Sequence, residues 1–150
     1  VIERLRKHLI EFEGVRLKPY LDTANPPKTT IGIGRNLSDN GITMEEAEML
    51  LEHDINTVLK ELNAHFSWYS DKPQTVQLVL ADLCFNLGLP TLLKFKNMLE
   101  SIKNNKYQEA AEHLLDSKYR TQTGRRALYN AHLLENINDE EDNTRTELCD

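Results

Sequence analysis

Ile2, Leu5, Leu9 and Phe12 recur at the spacing of one helical face, and Gly14 follows as a natural stop. At about 100° per residue Glu13 falls about 20° from Ile2 and shares the apolar stripe, whereas Glu11 falls about 180° away, toward water. Beyond the glycine the pattern changes period. Val15, Leu17 and Pro19 alternate imperfectly with Arg16, Lys18 and Tyr20, and the run from Thr29 to Ile33 forms a second extended segment, punctuated by Gly32 and Gly34. Between them Asp22-Thr23-Ala24-Asn25-Pro26-Pro27 reads as a rigid connection. A small twisted hairpin or three-stranded sheet packed on helices is expected. Residues 36–41 read as a polar turn too short for another element.

Thr43 and Glu46 form a capping box with Ile42 as a hydrophobic staple, and Ala47, Leu50, Leu51, Ile55, Val58, Leu59 and Leu62 continue one face over about 20 residues. Such a helix is roughly 30 Å long, enough to link two lobes. The connector from His65 to Lys72 holds Phe66, Trp68 and Tyr69. Pro73 then opens a helix with Val76, Val79, Leu80, Leu83 and Leu87, apolar enough to be the centre of the larger lobe. Gly88 and Pro90 close it. Thr91 caps a further helix bearing Leu92, Phe95, Met98, Leu99 and Ile102; Tyr107 to Leu115 is another; residues 117–123 read as a basic, polar connector; Ala127 to Glu135 is the last clear helix. The expected organisation is α+β, predominantly helical, in one domain over 1–137. It has a small hairpin-containing lobe over about 14–50, a linking helix over about 43–64, and a helical lobe over about 65–137 against which the first helix packs. Residues 138–150 form an acidic, frayed tail.

Composition adjusts this picture in three places. A chain of 150 residues has enough length to bury a core without disulfides or metal. Of the net charge of −6, the tail carries −5, from Asp139, Glu140, Glu141, Asp142, Glu147 and Asp150 against Arg145. The body is nearly neutral, so nucleic acid is not an expected partner, although Lys118, Arg120, Arg125 and Arg126 form a local basic run or else solvated helix ends. Cys84 reads as a buried thiol and Cys149 as an incidental tail thiol, with a disulfide between them the alternative. No apolar run is long enough to cross a bilayer, and His8, His113 and His132 show no metal-ligand spacing, so neither a metal nor another cofactor is expected. The charged opening is no signal peptide, while Val1 in place of Met suggests a trimmed start.

Chemistry concentrates near the start. A carboxylate at a helix C-terminus and against apolar neighbours has its charged form disfavoured by both dipole and desolvation, which suits Glu13 to donate a proton; the alternative is a partly buried structural carboxylate. Asp22 supplies a second carboxylate, or else caps its turn. Two such groups flanking a short sheet read as the acid/base half of a glycosidase cleft.

The set Glu13-Gly14-x-Arg16-Leu17-Lys18-x-Tyr20-x-Asp22 with Thr30-Ile31-Gly32-Ile33-Gly34 resembles the phage T4-type lysozymes of glycoside hydrolase family 24. Gly41-Ile42-Thr43-x-x-Glu46-Ala47-Glu48, Phe85-Asn86-Leu87-Gly88, Ala110-Ala111 and Ser117-x-x-x-x-Gln122-Thr123-x-x-Arg126-Ala127 resemble later segments in the same order, over about residues 2–137. The resemblance implies a muramidase that cuts the β-1,4 bond between N-acetylmuramic acid and N-acetylglucosamine in bacterial peptidoglycan by an inverting route. It implies Glu13 as general acid, Asp22 as second catalytic carboxylate, Thr30 as the threonine placing the nucleophilic water, and Arg126 as an arginine approaching Glu13. Gly32 and Asn86 are further candidates for orienting substrate, with a helix-end hydrogen bond the alternative for Asn86. A monomeric phage endolysin, made in the host cytoplasm and acting on the wall, is the expected setting; an inactive wall-binding or inhibitory protein and a chitinase-like enzyme are the rivals. Three departures stand out. Seven residues separate Asp22 from Thr30, two more than the pattern; Arg35 replaces a common histidine, a change expected to affect stability more than chemistry; and the short stretch from Gly34 to Ile42 implies that a small helix is omitted.

Overall fold

The computed structural model describes residues 1–137; the expected acidic tail, with Cys149, lies outside the described residues. Helices dominate and one antiparallel sheet runs in the order β1-β2-β3, which is the expected α+β class. The chain divides into two compact units, Val1–Leu51 and Glu52 onward.

In the first unit α1 (Ile2–Glu13) stops where Gly14 takes a φ of 72° and its N–H bonds Ile10 O. The helix buries no residue, and Ile2 and Phe12 are 85% and 73% exposed. Its stripe was expected to be core. The strands of its own unit, at 6, 4 and 2 residues, are too short to cover the face of a 12-residue helix. Strand β1 (Arg16–Leu21) pairs with β2 (Thr29–Gly32), Arg16 opposite Gly32 and Leu21 opposite Thr29, with an irregular register between Arg16 and Tyr20. The two-residue β3 (Arg35–Asn36) pairs with β2 through Ile31 and Thr30.

The stretch expected to be a bare turn, and to omit a small helix, forms the single-turn helix α2 (Leu37–Asn40). Asn36 makes this possible: its side-chain oxygen accepts the Asp39 N–H at 3.0 Å, satisfying a donor that a four-residue helix cannot satisfy internally. Ser38 of α2 accepts the Thr29 N–H at 2.9 Å and ties the turn back to β2. Helix α3 (Met44–His65) starts on the expected capping box, Glu46 N–H to Thr43 Oγ1 at 3.1 Å and Thr43 N–H to Glu46 Oε1 at 3.4 Å. The division between the units falls inside α3.

The second unit has the hydrophobic interior. Helix α4 (Gln74–Leu87) places Val76, Val79, Leu80 and Leu83 out of contact with water. Around it stand α5 (Leu89–Leu92), α6 (Lys96–Lys103), α7 (Tyr107–Leu115), α8 (Lys118–Thr123) and α9 (Arg125–Glu135), with α9 packed on both α4 and α7. Two expectations change. The helix expected to start at Thr91 is two helices: Thr91 lies inside α5, and Phe95, at ψ 57°, interrupts the run before α6. The polar connector over 117–123 is largely α8, because Tyr119 is buried against Phe95, their ring centroids 6.3 Å apart, and one aromatic anchor draws the segment onto the core. Lys72 is another departure from its sequence context. It is buried, and its ammonium bonds Lys103 O at 2.9 Å and Asn105 Oδ1 at 2.7 Å, capping the end of α6, while burial pushes its pKa down. Cys84 is a buried free thiol. Among the described residues no helix is long and apolar enough to cross a membrane.

Leu80→Ala removes a fully buried side chain from the centre of this core, and a loss of about 2–5 kcal/mol in unfolding free energy is expected by urea titration.

Candidate active site

Strand β1 ends at Leu21, and the loop that returns the chain to β2 is organised by its first and last residues. The Asp22 N–H bonds Lys28 O at 2.9 Å, and the Lys28 N–H bonds Asp22 Oδ1 at 2.8 Å. Ala24 N–H adds a second bond to the same Oδ1 at 3.0 Å. Asp22 is therefore a turn-organising residue through one oxygen, as the sequence alternative held. Its Oδ2 has no hydrogen-bond partner among the described residues, so one oxygen stays available for chemistry. The Thr30 hydroxyl donates to the same Lys28 carbonyl at 3.1 Å, and Thr30 is buried, 3% exposed. Lys28 thus joins two candidate residues through its backbone, although nothing in its side-chain chemistry singled it out. The added length of this loop does not separate them. The Lys28 ammonium in turn bonds Asp39 of α2 at 3.1 Å; this bond, followed by that from Asn36, holds the Asp39 carboxyl below its ordinary range.

Glu13 occupies the last position of α1 and is exposed, so the desolvation expected from its helical face is not provided by its own unit. Its carboxyl group lies against Gly34. A Cβ on Gly34 would fall 2.8 Å from both Glu13 Cδ and Oε2, closer than such atoms approach, and Gly34 also holds φ at 69°. Gly32 has the same φ of 69° but open space where a side chain would stand. The two glycines of the motif have different tasks: both permit the turn, and Gly34 alone makes room for the carboxylate.

The second unit holds the other candidates. Arg126 Nε donates to Asp82 Oδ2 at 2.9 Å and its Nη2 to Asp82 Oδ1, so the guanidinium is gripped in bidentate fashion. Buried Asn130 donates to Asp82 Oδ2 at 2.8 Å. Burial opposes ionisation of Asp82, but the bonds from Arg126 and Asn130 together hold its carboxyl below the usual range. Asp82 was not anticipated. Its position one helical turn before Asn86 on the outer edge of α4 is the signal that could have found it. Asn86 is exposed in the last turn of α4, with no side-chain bond to a helix end among the described residues. Lys118 of the expected basic run lines a cavity of about 640 Å³ with Lys94, Lys96 and Tyr119. Among the described residues no three His, Cys, Asp or Glu side chains converge as metal ligands.

The profile of the family described as phage lysozyme matches residues 10–143, a span that contains Glu13, Asp22, Thr30, Asn86 and Arg126. The chain belongs to the phage lysozyme family. Its relatives include the pre-baseplate central spike protein Gp5 of Enterobacteria phage T4, 28% identical over 142 residues, covering 77% of this chain and 24% of that protein. This phage lysozyme relative thus spans about a quarter of the spike protein's length. It is also similar to the Dictyostelium discoideum protein named Probable T4-type lysozyme 2, 26% identical over 156 residues, covering 85% of this chain and 91% of that one. A second Dictyostelium discoideum protein, Probable T4-type lysozyme 1, is 27% identical over 89 residues, 57% of this chain and 52% of its own.

Gly32→Ala and Gly34→Ala should lose similar stability, about 1–2 kcal/mol each for the left-handed backbone, because the exposed Glu13 side chain can swing aside. The Glu13 carboxyl ¹³C resonance should move in the Gly34 variant alone. For Asp82 the folded pKa lies below the unfolded one, so its contribution is complete above about pH 4 and is lost as pH falls through the lower folded value. Asp82→Asn should therefore cost about 1 kcal/mol at pH 7, a value discounted for the half-exposed guanidinium, and the gap from wild type should close in acid denaturation profiles below about pH 4.

Proposed function

We propose that this phage lysozyme family member is a glycoside hydrolase, a muramidase cutting the β-1,4 bond between N-acetylmuramic acid and N-acetylglucosamine of peptidoglycan. The observation that carries the reading is the Lys28 knot, which holds Asp22 and Thr30 in one loop of the sheet whose next turn abuts Glu13. Glu13, at the exposed helix end, is the general acid that protonates the departing sugar oxygen. Thr30 has committed its own proton to Lys28 O, so toward the attacking water its oxygen serves as an acceptor. Asp22 Oδ2 accepts a second proton of that water, and the two oxygens aim its lone pair at the anomeric carbon. Attack from the face opposite Glu13 gives an inverted product. Arg126, Asn86 and Gly32 orient substrate in this reading, and the protein acts as a monomeric endolysin on the host wall.

The test is release of reducing ends and loss of turbidity from a peptidoglycan suspension. Wild type should do both, and Glu13→Gln should be slower by about 10²–10⁴-fold with its unfolding midpoint retained. Proton NMR of the first product should show the α anomer, while a β anomer would replace inversion by retention. Wall binding without new reducing ends would reassign the protein to the inactive wall-binding class, and preferential cleavage of chitin oligomers would reassign the substrate.

A further inference from the structure

Glu13 has three rotatable bonds before its carboxylate, no hydrogen bond to that group among the described residues, and an exposed side chain. Its carboxyl group occupies the space that a side chain on Gly34 would fill, 2.8 Å from where that Cβ would stand. Where this space lies follows from the course of the chain at Gly34, whose positive φ belongs to a turn with little side-chain support of its own. Two backbone pairings from the two-residue β3 are a weak anchor for such a turn.

The residue after Gly34 supplies a stronger one. Arg35 Nη1 bonds Glu46 Oε2 at 2.7 Å and Oε1 at 3.0 Å, and donates to Gly41 O at 3.3 Å. Glu46 is held in turn by the Thr43 hydroxyl at 3.1 Å and by the α3 capping box. Thus one guanidinium fastens the sheet turn to the end of α2 and the first turn of α3. The interaction of Glu46 with Arg35 holds the carboxyl below its ordinary range, so the pair is charged at neutral pH.

We infer that Arg35 is a positioning residue for the reaction, acting through Gly34 to fix where the Glu13 carboxylate stands. It touches neither substrate nor reacting atoms, and its positive charge is directed at Glu46. The histidine-to-arginine difference at this position, expected from sequence to affect stability more than chemistry, becomes a determinant of turnover. This inference rests on the proposed catalytic role of Glu13.

The experiment compares Arg35→Met, Arg35→Lys and, as a stability control in the second unit, Val79→Ala, each assayed at a temperature where it is fully folded. Arg35→Met should lower kcat on solubilised peptidoglycan by about 10–100-fold, the range associated with small misplacements of a catalytic group, with KM within about twofold. Arg35→Lys, which keeps a cation but not the reach and planar shape of the guanidinium, should recover part of that loss. Val79→Ala should lose stability and keep kcat. The Glu13 carboxyl ¹³C resonance should shift in Arg35→Met and stay in place in Val79→Ala, a readout that needs no turnover. Wild-type kcat and an unmoved Glu13 resonance in Arg35→Met, alongside an inactive Glu13→Gln, would overturn the positioning role alone. Full activity in Glu13→Gln would overturn the catalytic reading while leaving the resonance test of the Arg35 contact intact. If Arg35→Met does not fold, the Lys variant carries the same two measurements, and an unmoved resonance with wild-type kcat there overturns the inference.

Discussion

The first unit has almost no hydrophobic interior, and its geometry must therefore come from hydrogen bonds. Thr30 is its buried residue, and it is buried by the sheet and loop around it rather than by a layer of aliphatic side chains. A three-stranded sheet with strands this short is near the lower limit of independent order. The missing core is replaced by directional ties: Asp22 to Lys28, Thr30 to Lys28, Lys28 to Asp39, Ser38 to Thr29 and Arg35 to Glu46. Hydrogen bonds are individually modest in stability but specify distance and direction, which a dispersive core does not. The proposed site, with its acid and water-orienting pair, would draw its register from that kind of construction.

The second unit follows the opposite logic. Its apolar helix α4 collects side chains from α6, α7, α8 and α9 into a continuous interior, and two of the polar groups at its edge complete a helix end and an ion pair. Lys72 closes the exposed carbonyls of α6, and Asp82 spans from α4 to Arg126 and Asn130 on α9. Because interiors pack at crystal-like density, this unit can hold the Asp82 grip without the polar network that the first unit needs.

Charge illustrates why a linear count misleads. Lys28, Arg35 and Arg126 each appear in the sequence as cations available to an anionic partner, yet each is engaged by a carboxylate of its own unit: Asp39, Glu46 and Asp82. The near-neutral body is thus arranged as local pairs.

Periodicity, caps and glycines in the sequence determined the element order, from the α1 stop at Gly14 through the Thr43–Glu46 box to the apolar α4, and the ordered motif set determined the family. Those features depend on neighbours a few residues apart, which is the range that a linear reading resolves. The helix α8, the break at Phe95, the burial of Lys72 and the grip of Asp82 on Arg126 depended on partners that only folding brings together, whereas the Asn36 cap that starts α2 is a local signal that the reading of 36–41 as a turn passed over. The same holds for the proposed site: its candidate glutamate, aspartate and threonine are legible as letters. Their joining through the Lys28 backbone and the neighbour that fills the space beside Gly34 were decided by tertiary structure, because every residue carries a main-chain carbonyl and a glycine is legible without saying what will approach it.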